Sequence, residues 1–552
     1  MATTASDSGL CLSVVVFGAS GDLAHRKTLP VFFHLFDDGL SGLGACSLAL
    51  WGAARSRLDG ASFRDSLSPH LPSEEPQASS FLSRVEYVQL RAYDGQGGAE
   101  GFAHLRHALE AHEATAAASH GATSFGRLFY LATPPETFPV LAAAIKAHLT
   151  PAGMFDSSEA SLTITPPPRR AGPSFLTPRP LRWARVVIEK PFGRDLASAE
   201  ALEGVLSSHF PQASLFRIDH FLGKELVQNI HVLRFSNVIF EPLLNRHNVQ
   251  CVVITLKEPF GIEQRAGFFD TTGIMRDVVQ NHLLQIATIV SMERPVSLSA
   301  SDVHNEKHKA LRYFLPISAG DVVLGQYEGY EHEKGVAPGS RTATFASLVL
   351  RPCSDRWAGV PFILRAGKCL DSKKTEVRIQ FKSQPAGANV CGGLAGPQAQ
   401  PAGRNELVIR VAPHEAVYCK LTVKAPAGVP LAQQQQQSSP CGGAPRIPTV
   451  LAELDLDYGQ RYGAPGGRFP DAYETILRQI LQGDSSNCVR SDFVTTAWRL
   501  FDPLLQAVEA SDAAPPVRYA KGSRGPSEGD EQLAREGLTR SLGYVWRKAA
   551  SE

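Results

Sequence analysis

The sequence predicts a doubly wound α/β domain followed by a larger β+α domain whose sheet is mostly antiparallel. At 552 residues, the chain is longer than a single hydrophobic core usually supports. In the first half, residues 12–17 form a run that is apolar except at Ser13, which is typical of a strand buried on both faces of a parallel sheet. Further short runs at residues 47–51, 128–132 and 186–188 are separated by helical or loop sequence, and this alternation favours a doubly wound sheet.

The second half of the chain has a different pattern. Its segments either alternate apolar and polar residues or are continuously apolar with β-branched residues, and few helix-length gaps separate them. They lie at residues 249–256, 342–350, 376–381 and 406–411. Such spacing is typical of antiparallel strands. We therefore predict one domain over residues 1–219 and a second over residues 220–552. Three stretches rich in Pro, Gly, Ala, Ser or Gln are expected to be disordered insertions, at residues 153–182, 383–403 and 425–448.

The composition is that of a globular protein, with 43% hydrophobic and 20% charged residues. Lys plus Arg number 55 against 54 Asp plus Glu, so no basic excess supports binding to nucleic acid or a membrane surface. The most apolar stretch, residues 128–145, is interrupted by prolines, and the first residues show no secretory signal. The nine cysteines are scattered and include no CxxC pair. We therefore expect a reduced, cytoplasmic protein without a metal site.

A glycine loop directly follows the first predicted strand, and an amphipathic helix runs from it through Phe36. The loop consists of Gly18, Ala19, Ser20, Gly21, Asp22 and Leu23. Glycines let the backbone approach a pyrophosphate, and the helix N-terminus supplies N–H groups and a positive dipole end. The spacing differs from GxGxxG because two residues, Ala19 and Ser20, stand where one is usual. Many glycine turns bind nothing, so the position between strand and helix carries the prediction of a dinucleotide site.

The end of the second predicted strand favours NADP over NAD. An NAD site has an Asp or Glu here to accept a hydrogen bond from the ribose 2′-hydroxyl. This chain instead has Arg55 and no acidic residue from Leu50 to Arg57. A guanidinium can bind a 2′-phosphate bidentately, although a solvated surface arginine is the alternative interpretation.

Polar residues concentrate in four further segments, EKPFG at 189–193, RIDHFLGKE at 217–225, KEPFG at 257–261 and a predicted helix over 274–290. Taken singly, His282 on that apolar helix could be a core histidine, and Asp219 could cap a helix. Jointly they indicate a catalytic site. A histidine can accept a hydroxyl proton near neutral pH while a carboxylate fixes its tautomer. His220 and Lys224 could bind a phosphate group.

These segments, in this order, resemble the motif set of the glucose-6-phosphate dehydrogenase family. The resemblance covers residues 14–546 apart from the insertions, and its motifs are GASGDLA, EKPFG, RIDHFLGKE, KEPFG, RDVVQNHLLQ, VPFILRAGK, RNELVIRV, ELDLDYG, PDAYE and GSRGP. RIDHFLGKE is highly specific, whereas EKP also occurs in other sugar oxidoreductases. The resemblance implies a Rossmann-like coenzyme domain followed by a larger β+α domain.

The resemblance also implies an activity. It is the oxidation of D-glucose 6-phosphate at C1 to 6-phospho-D-glucono-1,5-lactone with hydride transfer to NADP+, the first step of the oxidative pentose phosphate pathway. A cytoplasmic homodimer or homotetramer is expected.

By motif, His282 matches the family's general base and Asp219 its carboxylate partner. His220 and Lys224 match phosphate-binding positions, and Lys190 matches a lysine that contacts both substrate and nicotinamide. The remaining substrate-binding positions, for sugar or phosphate, are Glu258, Asp277, Lys368 and Lys373. Two residues depart from the family pattern. Phe221 replaces a tyrosine whose hydroxyl reaches the phosphate in the family. Lys373 replaces an arginine, so a compact ammonium stands where the family has a planar guanidinium.

Many eukaryotic members hold a second, structural NADP in the C-terminal domain, and most of its pattern is present here. The matching residues are Arg365, Lys374, Arg378, Arg410, Tyr418, Lys420, Asp455, Arg524, Asp530 and Trp546. Cations on a sheet often form only a solvated face, but Trp546 offers a stacking surface that such a face does not need. Ala412 replaces the usual glutamine and Arg540 a tyrosine, and each change removes a contact.

Two alternatives remain open at the sequence level. A dehydrogenase of the glucose–fructose oxidoreductase type shares the coenzyme fold and EKP but does not need the phosphate-binding segment. A catalytically silent NADP sensor could dispense with the pair of Asp219 and His282.

Overall fold

The computed structural model describes residues 9–37, 45–72, 77–94, 97–151, 154–155, 181–383, 404–424, 426, 449–463 and 469–539. Most of the three predicted insertions lies outside the described residues. Contacts divide the chain into two compact units, the first comprising Met1–Lys224, Pro295–His308 and Pro470–Arg499. The second comprises Glu225–Arg294, Lys309–Phe469 and Leu500–Glu552. The boundary predicted after Asp219 falls close to the first break, and two later segments join the first unit.

The first unit is built on a six-stranded parallel sheet of order β3-β2-β1-β4-β5-β6. Its strands are β1 (Leu10–Phe17), β2 (Ala45–Ala54), β3 (Val85–Gln89), β4 (Ser124–Leu131), β5 (Leu181–Glu189) and β6 (Leu215–Ile218). This order is that of a doubly wound dinucleotide-binding sheet. The α/β prediction is confirmed, and the four predicted apolar runs correspond to β1, β2, β4 and β5.

Both faces of this sheet are covered, which explains why β1 is almost entirely apolar. Leu12 and Val14 pack into one hydrophobic core, while Val15 and Phe17 pack into another on the opposite face. Successive side chains of a strand point to opposite faces, so a strand between two cores is apolar on both faces. Ser13 is the exception in residues 12–17, and its buried hydroxyl is hydrogen-bonded to Nδ1 of His112 at 2.9 Å. The helices within this unit are α1 (Leu29–Asp37), α2 (Gly60–Leu67), α3 (Gln77–Leu82), α4 (Ala99–His120), α5 (Phe138–Ala144), α6 (Leu196–His209) and α12 (Ala472–Gln482).

The second unit contains a nine-stranded mixed sheet of order β14-β13-β12-β11-β7-β10-β9-β8-β15. Its strands are β7 (Val249–Lys257), β8 (Val322–Tyr327), β9 (Phe345–Leu350), β10 (Phe362–Gly367), β11 (Lys374–Phe381), β12 (Glu406–Ala412), β13 (Ala416–Lys424), β14 (Thr449–Asp457) and β15 (Val517–Tyr519). Within the described part of this nine-stranded sheet, only the pairs β7–β10 and β8–β15 are parallel. The prediction of a mostly antiparallel sheet is confirmed.

The helices within the second unit are α7 (Glu225–Phe235), α8 (Ala266–Ile274), α9 (Leu284–Ser291), α11 (Tyr458–Tyr462) and α14 (Ser527–Arg535), while α10 (Ala300–Arg312) and α13 (Ser491–Glu509) begin in the first unit and end in the second. The helix predicted over residues 274–290 is a π-helical stretch, Met275–Leu283, that continues into α9. Gly273, with a φ of 67°, forms a kink within α8, one residue before that helix ends. Across the described residues, no helix has the length and apolar character needed to cross a membrane.

Candidate functional site

The glycine loop closes the carboxyl end of β1. Gly18 has a φ of +77°, and a Cβ atom there would lie 2.4 Å from the carbonyl oxygen of Ala132, so this position requires glycine. Its N–H donates to Ala53 at 2.8 Å, and the N–H of Gly21 donates to Gly18 at 2.9 Å. Ala19 is buried, whereas Gly21, Asp22 and Leu23 are exposed. The residues present therefore fit a dinucleotide, because an open backbone turn precedes a helical segment at a strand's carboxyl end.

Arg55 lies immediately after β2 and beside this loop. The hydroxyls of Ser20 and Ser56 are hydrogen-bonded at 2.8 Å, which joins the two strand ends. Arg55 is exposed, and its guanidinium carbon lies 5.6 Å from the ring centroid of Tyr93. A planar cation is thus supported by an aromatic face next to the glycine loop. Neither Ser56 nor Tyr93 was predicted to belong to the site, because neither belongs to a motif.

The EKPFG segment ends β5. Glu189 is buried and accepts a hydrogen bond from the hydroxyl of Tyr130. Burial raises the pKa of Glu189 to about 7, although the Tyr130 hydroxyl and the Lys190 ammonium act in the opposite direction. Lys190 is half-buried at the carboxyl end of the strand. At this edge of the sheet, the carboxyl group of Glu189 is therefore buried, and the adjacent Lys190 is partly exposed.

The RIDHFLGKE segment follows β6 and forms a tight turn. Asp219 caps the 3₁₀ turn His220–Gly223, and its Oδ1 accepts a hydrogen bond from the N–H of Phe221 at 3.0 Å. The Lys224 ammonium lies 5.2 Å from the centroid of the Phe221 ring. At Gly223, a Cβ atom would lie 2.1 Å from the carbonyl oxygen of Ala472, so only glycine allows the turn to pack on α12.

His220 is held by an aromatic stack that the motif alone does not reveal. Its ring is stacked on Tyr473, with centroids 5.6 Å apart and planes 6° from parallel. The N–H of Tyr473 donates to Asp471, the N-cap of α12, at 2.8 Å. Asp471 also pairs with Lys27 at 3.7 Å, which places a cation beside the N-terminus of α12. PDAYE was recognised as a motif, but its contribution of Tyr473 to this stack was not predicted, and Lys27 was missed.

In the second unit, Glu258 and Lys368 form an ion pair. The Lys368 ammonium lies 2.6 Å from Oε2 of Glu258. Both residues follow paired parallel strands, since Gly367 of β10 is in register with Lys257 of β7. The strand pairing therefore explains why two distant motifs meet.

Asp277 and His282 lie on the π-helical stretch and are 8% and 3% exposed. The Asp277 carboxylate is 4.0 Å from the guanidinium of the exposed Arg265. Lys373 is exposed in the turn before β11, and no contact among the described residues joins it to the pair of Glu258 and Lys368.

A basic cavity lies over the nine-stranded sheet. Its charged lining comprises six cations and three carboxylates, namely Lys257, Arg365, Lys374, Arg378, Lys420, Arg524, Asp371, Glu376 and Glu406. Lys374, Glu376 and Arg378 alternate along β11 and so share one face of the sheet. The excess of cations makes the cavity suitable for an anionic ligand.

Five predicted structural-site residues line this cavity: Arg365, Lys374, Arg378, Lys420 and Arg524. Asp530 is also near it, because its carboxylate pairs with Arg365 at 2.6 Å and with Arg524 at 3.2 Å. Four residues of the lining were not predicted, namely Lys257, Asp371, Glu376 and Glu406. The i, i+2 spacing of charged residues around Glu376 could have indicated that they share one face of a strand.

The other described members are not among the residues that line the cavity, although Tyr418 and Arg410 interact electrostatically with its Glu376. Tyr418 is buried in β13, Arg410 donates to the carbonyl of Pro413 at 3.0 Å, and Asp455 is exposed on β14. Trp546 and Arg540 lie outside the described residues.

The cavity's cations lower the pKa values of two of its carboxyl groups, those of Glu376 and Asp371. Burial alone favours the neutral form of Glu376, but Arg378 and Lys374 outweigh it and lower the pKa of Glu376 to about 2. Burial lowers the pKa values of Lys257 and Lys420, and the neighbouring Asp371 and Glu406 act in the opposite direction. Lys257 and Lys420 are therefore held in ion pairs without a bound ligand.

A doubly wound sheet with a glycine loop, together with lysine, histidine and carboxylate groups at its strand ends, places the chain in the class of dinucleotide-dependent oxidoreductases. Two protein-family models match the chain. The model "Glucose-6-phosphate dehydrogenase, NAD binding domain" matches residues 15–229, and "Glucose-6-phosphate dehydrogenase, C-terminal domain" matches residues 231–547. The chain therefore belongs to the glucose-6-phosphate dehydrogenase family.

Individual relatives agree. The chain is 41% identical to the cytoplasmic isoform of glucose-6-phosphate 1-dehydrogenase from Solanum tuberosum, over 97% of this chain and 94% of that protein. It is 39% identical to glucose-6-phosphate 1-dehydrogenase from Dictyostelium discoideum, over 99% and 98%. Among solved structures, a glucose-6-phosphate dehydrogenase in complex with glucose 6-phosphate is 36% identical, with a TM-score of 0.80 over 98% of this chain and 100% of that one.

Proposed function

We propose that this protein oxidises D-glucose 6-phosphate at C1 to 6-phospho-D-glucono-1,5-lactone and reduces NADP+, the first step of the oxidative pentose phosphate pathway. The observation that carries the proposal is the turn at residues 219–224. It sets a carboxylate, an aromatic-stacked histidine and a ring-supported lysine side by side at the carboxyl end of a parallel strand. A phosphorylated sugar needs both cations and a carboxylate-assisted base, which this turn helps to supply.

The proposed chemistry assigns each group one task. His282 accepts the proton of the C1 hydroxyl, and Asp219 fixes the tautomer of the imidazole and stabilises the imidazolium. His220 and Lys224 bind the 6-phosphate. Glu258, Asp277 and Lys368, with Lys373, bind the sugar or its phosphate, and Lys190 contacts substrate and nicotinamide.

The coenzyme is proposed to be NADP, bound through Gly18, Ala19, Ser20, Gly21, Asp22, Leu23, Arg55 and Lys190. Bound NADP+ supplies the hydride acceptor. Arg55 supports this choice, because it follows β2 where an NAD site has a carboxylate, and its position on Tyr93 favours a planar contact with a 2′-phosphate.

A second NADP is proposed to bind in the basic cavity of the second unit as a stabilising ligand. Support comes from the lining of six cations against three carboxylates. We also propose that the protein is cytoplasmic, which is supported by its similarity to the cytoplasmic isoform from Solanum tuberosum. A homodimer or homotetramer is proposed as well.

The decisive assay follows NADPH absorbance with purified protein and glucose 6-phosphate. NADP should be reduced with glucose 6-phosphate much faster than with unphosphorylated glucose. His282→Asn should lower kcat by about 10²–10⁴ with KM little changed, because it removes a general base. His247→Asn, which changes an exposed histidine of the same unit, is the matched control. An inactive parent, or a His282→Asn variant with parental kcat, would contradict the proposal.

The second site is tested by thermal unfolding with and without NADP. A ligand that binds only the folded state adds about 2.7 kcal/mol at a hundred times its Kd. NADP should therefore raise the midpoint even in an Arg55→Ala background, and the further pair Lys374→Ala and Arg524→Ala should abolish the rise. Arg535→Ala, an exposed change on α14, should leave it intact. A rise that survives the pair would exclude this cavity.

A further inference from the structure

One carboxylate of the basic cavity differs from the other two in its exposure. The side chains of Glu376 and Glu406 are each 5% exposed and lie on the neighbouring strands β11 and β12, where Arg378 binds both of them. The side chain of Asp371 is 35% exposed and belongs to the turn between β10 and β11. Among the cavity's carboxylates, Asp371 is therefore the one most open to solvent and to a ligand.

Asp371 is held against one cation of the cavity. Its Oδ1 lies 2.8 Å from the ammonium of Lys257. The backbone N–H of Asp371 donates to the carbonyl of Ser523 at 2.8 Å, which joins the turn to the segment that carries Arg524. Burial alone raises the pKa of Asp371, but its hydrogen bond and ion pair with Lys257 outweigh burial and lower that pKa. The cavity thus holds an ionised carboxylate bound to Lys257.

Lys257 does not depend on Asp371 for its position. It is the last residue of β7, which pairs with β10 on one side and with β11 on the other. Its direct partner in β11 is Lys374, and both lysines line the cavity. Like charges on directly opposite residues of adjacent strands are destabilising. Without a bound anion, the carboxylate of Asp371 offsets part of this repulsion.

A ligand phosphate that enters the cavity needs the same ammonium. Phosphate and carboxylate oxygens both accept charge-assisted hydrogen bonds, so they compete for the donors of Lys257. Two anions in one cavity also repel each other. Glu376 and Glu406 are not competitors of this kind, because they are buried among cations that their removal would leave uncompensated.

We propose that Asp371 is a resident counter-ion of the basic cavity, which pairs with Lys257 in the free protein and is displaced from it when a phosphate-bearing ligand binds. Asp371 thereby lowers the affinity of the cavity for that ligand. This inference rests on the proposed function of the cavity as a second NADP site.

The test measures the Kd of NADP for the cavity by isothermal titration calorimetry of the full chain in the Arg55→Ala background. The pair Lys374→Ala and Arg524→Ala, in the same background, gives the binding that does not belong to the cavity. Asp371→Asn keeps the size of the side chain and removes its charge. It should lower the Kd about threefold to tenfold, because the ligand no longer competes with a carboxylate for Lys257. Asp371→Glu keeps the charge and should give a Kd near the parental one.

Asp321→Asn is the matched control, since Asp321 also pairs with a cation of the second unit, Arg351 at 3.0 Å, but is not among the described residues that line the cavity. Its Kd should stay parental. A Kd that is unchanged or higher in Asp371→Asn would overturn the inference and leave the second site intact. Binding that never exceeds that of the Lys374→Ala and Arg524→Ala pair would overturn both. If Asp371→Asn does not fold, Asp371→Ser is measured in its place, and failure of both to fold identifies a purely structural carboxylate and overturns the inference.

Discussion

Replacing Lys224 by alanine tests the proposed contact between its ammonium and the 6-phosphate of the substrate. The ammonium of Lys224 is half-buried and supported 5.2 Å from the centroid of the Phe221 ring, so the side chain is already oriented before substrate binds. A charge-assisted hydrogen bond to a phosphate contributes about 1.5–3 kcal/mol. Lys224→Ala should therefore raise KM for glucose 6-phosphate about tenfold to a hundredfold, since each 1.4 kcal/mol is about tenfold. kcat should change far less.

The assay is the initial rate of NADPH formation with glucose 6-phosphate and, in parallel, with glucose. Parent and variant should handle glucose almost equally, because it has no phosphate to lose. Lys146→Ala is the matched control, as the ammonium of this exposed lysine lies 5.0 Å from the Phe155 ring in the same unit. It removes a lysine–phenylalanine contact of similar geometry away from the turn, so KM should stay parental.

Two results would refute this reasoning. Equal losses on glucose and glucose 6-phosphate would mean that Lys224 supports the turn rather than the phosphate. A comparable rise in KM for Lys146→Ala would mean that losing any ring-supported lysine disturbs this unit.

Three further changes test neighbouring features. Phe221→Tyr should lower KM for glucose 6-phosphate about twofold to tenfold by adding one hydrogen bond, and an unchanged KM would show that the hydroxyl does not reach the phosphate. Arg55→Ala should raise KM for NADP about tenfold and leave KM for NAD unchanged, with the exposed Arg57→Ala as control; equal losses with both coenzymes would contradict a 2′-phosphate role. Glu189 has a pKa of about 7 in the fold against 4.5 as reference, so the parent loses stability as pH rises between these values. Urea denaturation should therefore find Glu189→Gln about 1–3 kcal/mol more stable than the parent at pH 8 but not at pH 4.5, and a pH-independent difference would refute the buried titration.

In the six-stranded sheet, the strands with long runs of buried apolar residues were predicted from the sequence. The strands that bury a charged residue or are partly exposed, β6 and β3, were not predicted. β6 has only four residues, and one of them, Arg217, is fully buried. It is tolerated because Glu203 of α6 binds its guanidinium through both carboxylate oxygens, at 2.8 and 2.5 Å. β3 carries the exposed Glu86 in a five-residue strand. Neither strand has the long apolar run that predicted β1, since partners distant in sequence supply the compensation.

The same limit applies to the site. Asp219, His220 and Lys224 were readable because a single short segment contains them. Tyr473 was not, because it comes from residues 470–499, which join the first unit only through the tertiary fold. Spacing along the chain cannot reveal a ring that stacks on His220 from another helix.

What the sequence did specify follows from the parallel sheet. In a parallel sheet all carboxyl ends lie at one edge, so three segments that each follow a strand must emerge along that edge. The order β1-β4-β5-β6 places the glycine loop after β1, EKPFG after β5 and RIDHFLGKE after β6. Recognising the strands therefore predicts that the glycine loop, Lys190 and the turn at residues 219–224 emerge along one edge of the sheet. The side chains that contact these segments, such as Tyr130 on Glu189 and Tyr473 on His220, are placed by tertiary packing and cannot be read from the strand pattern.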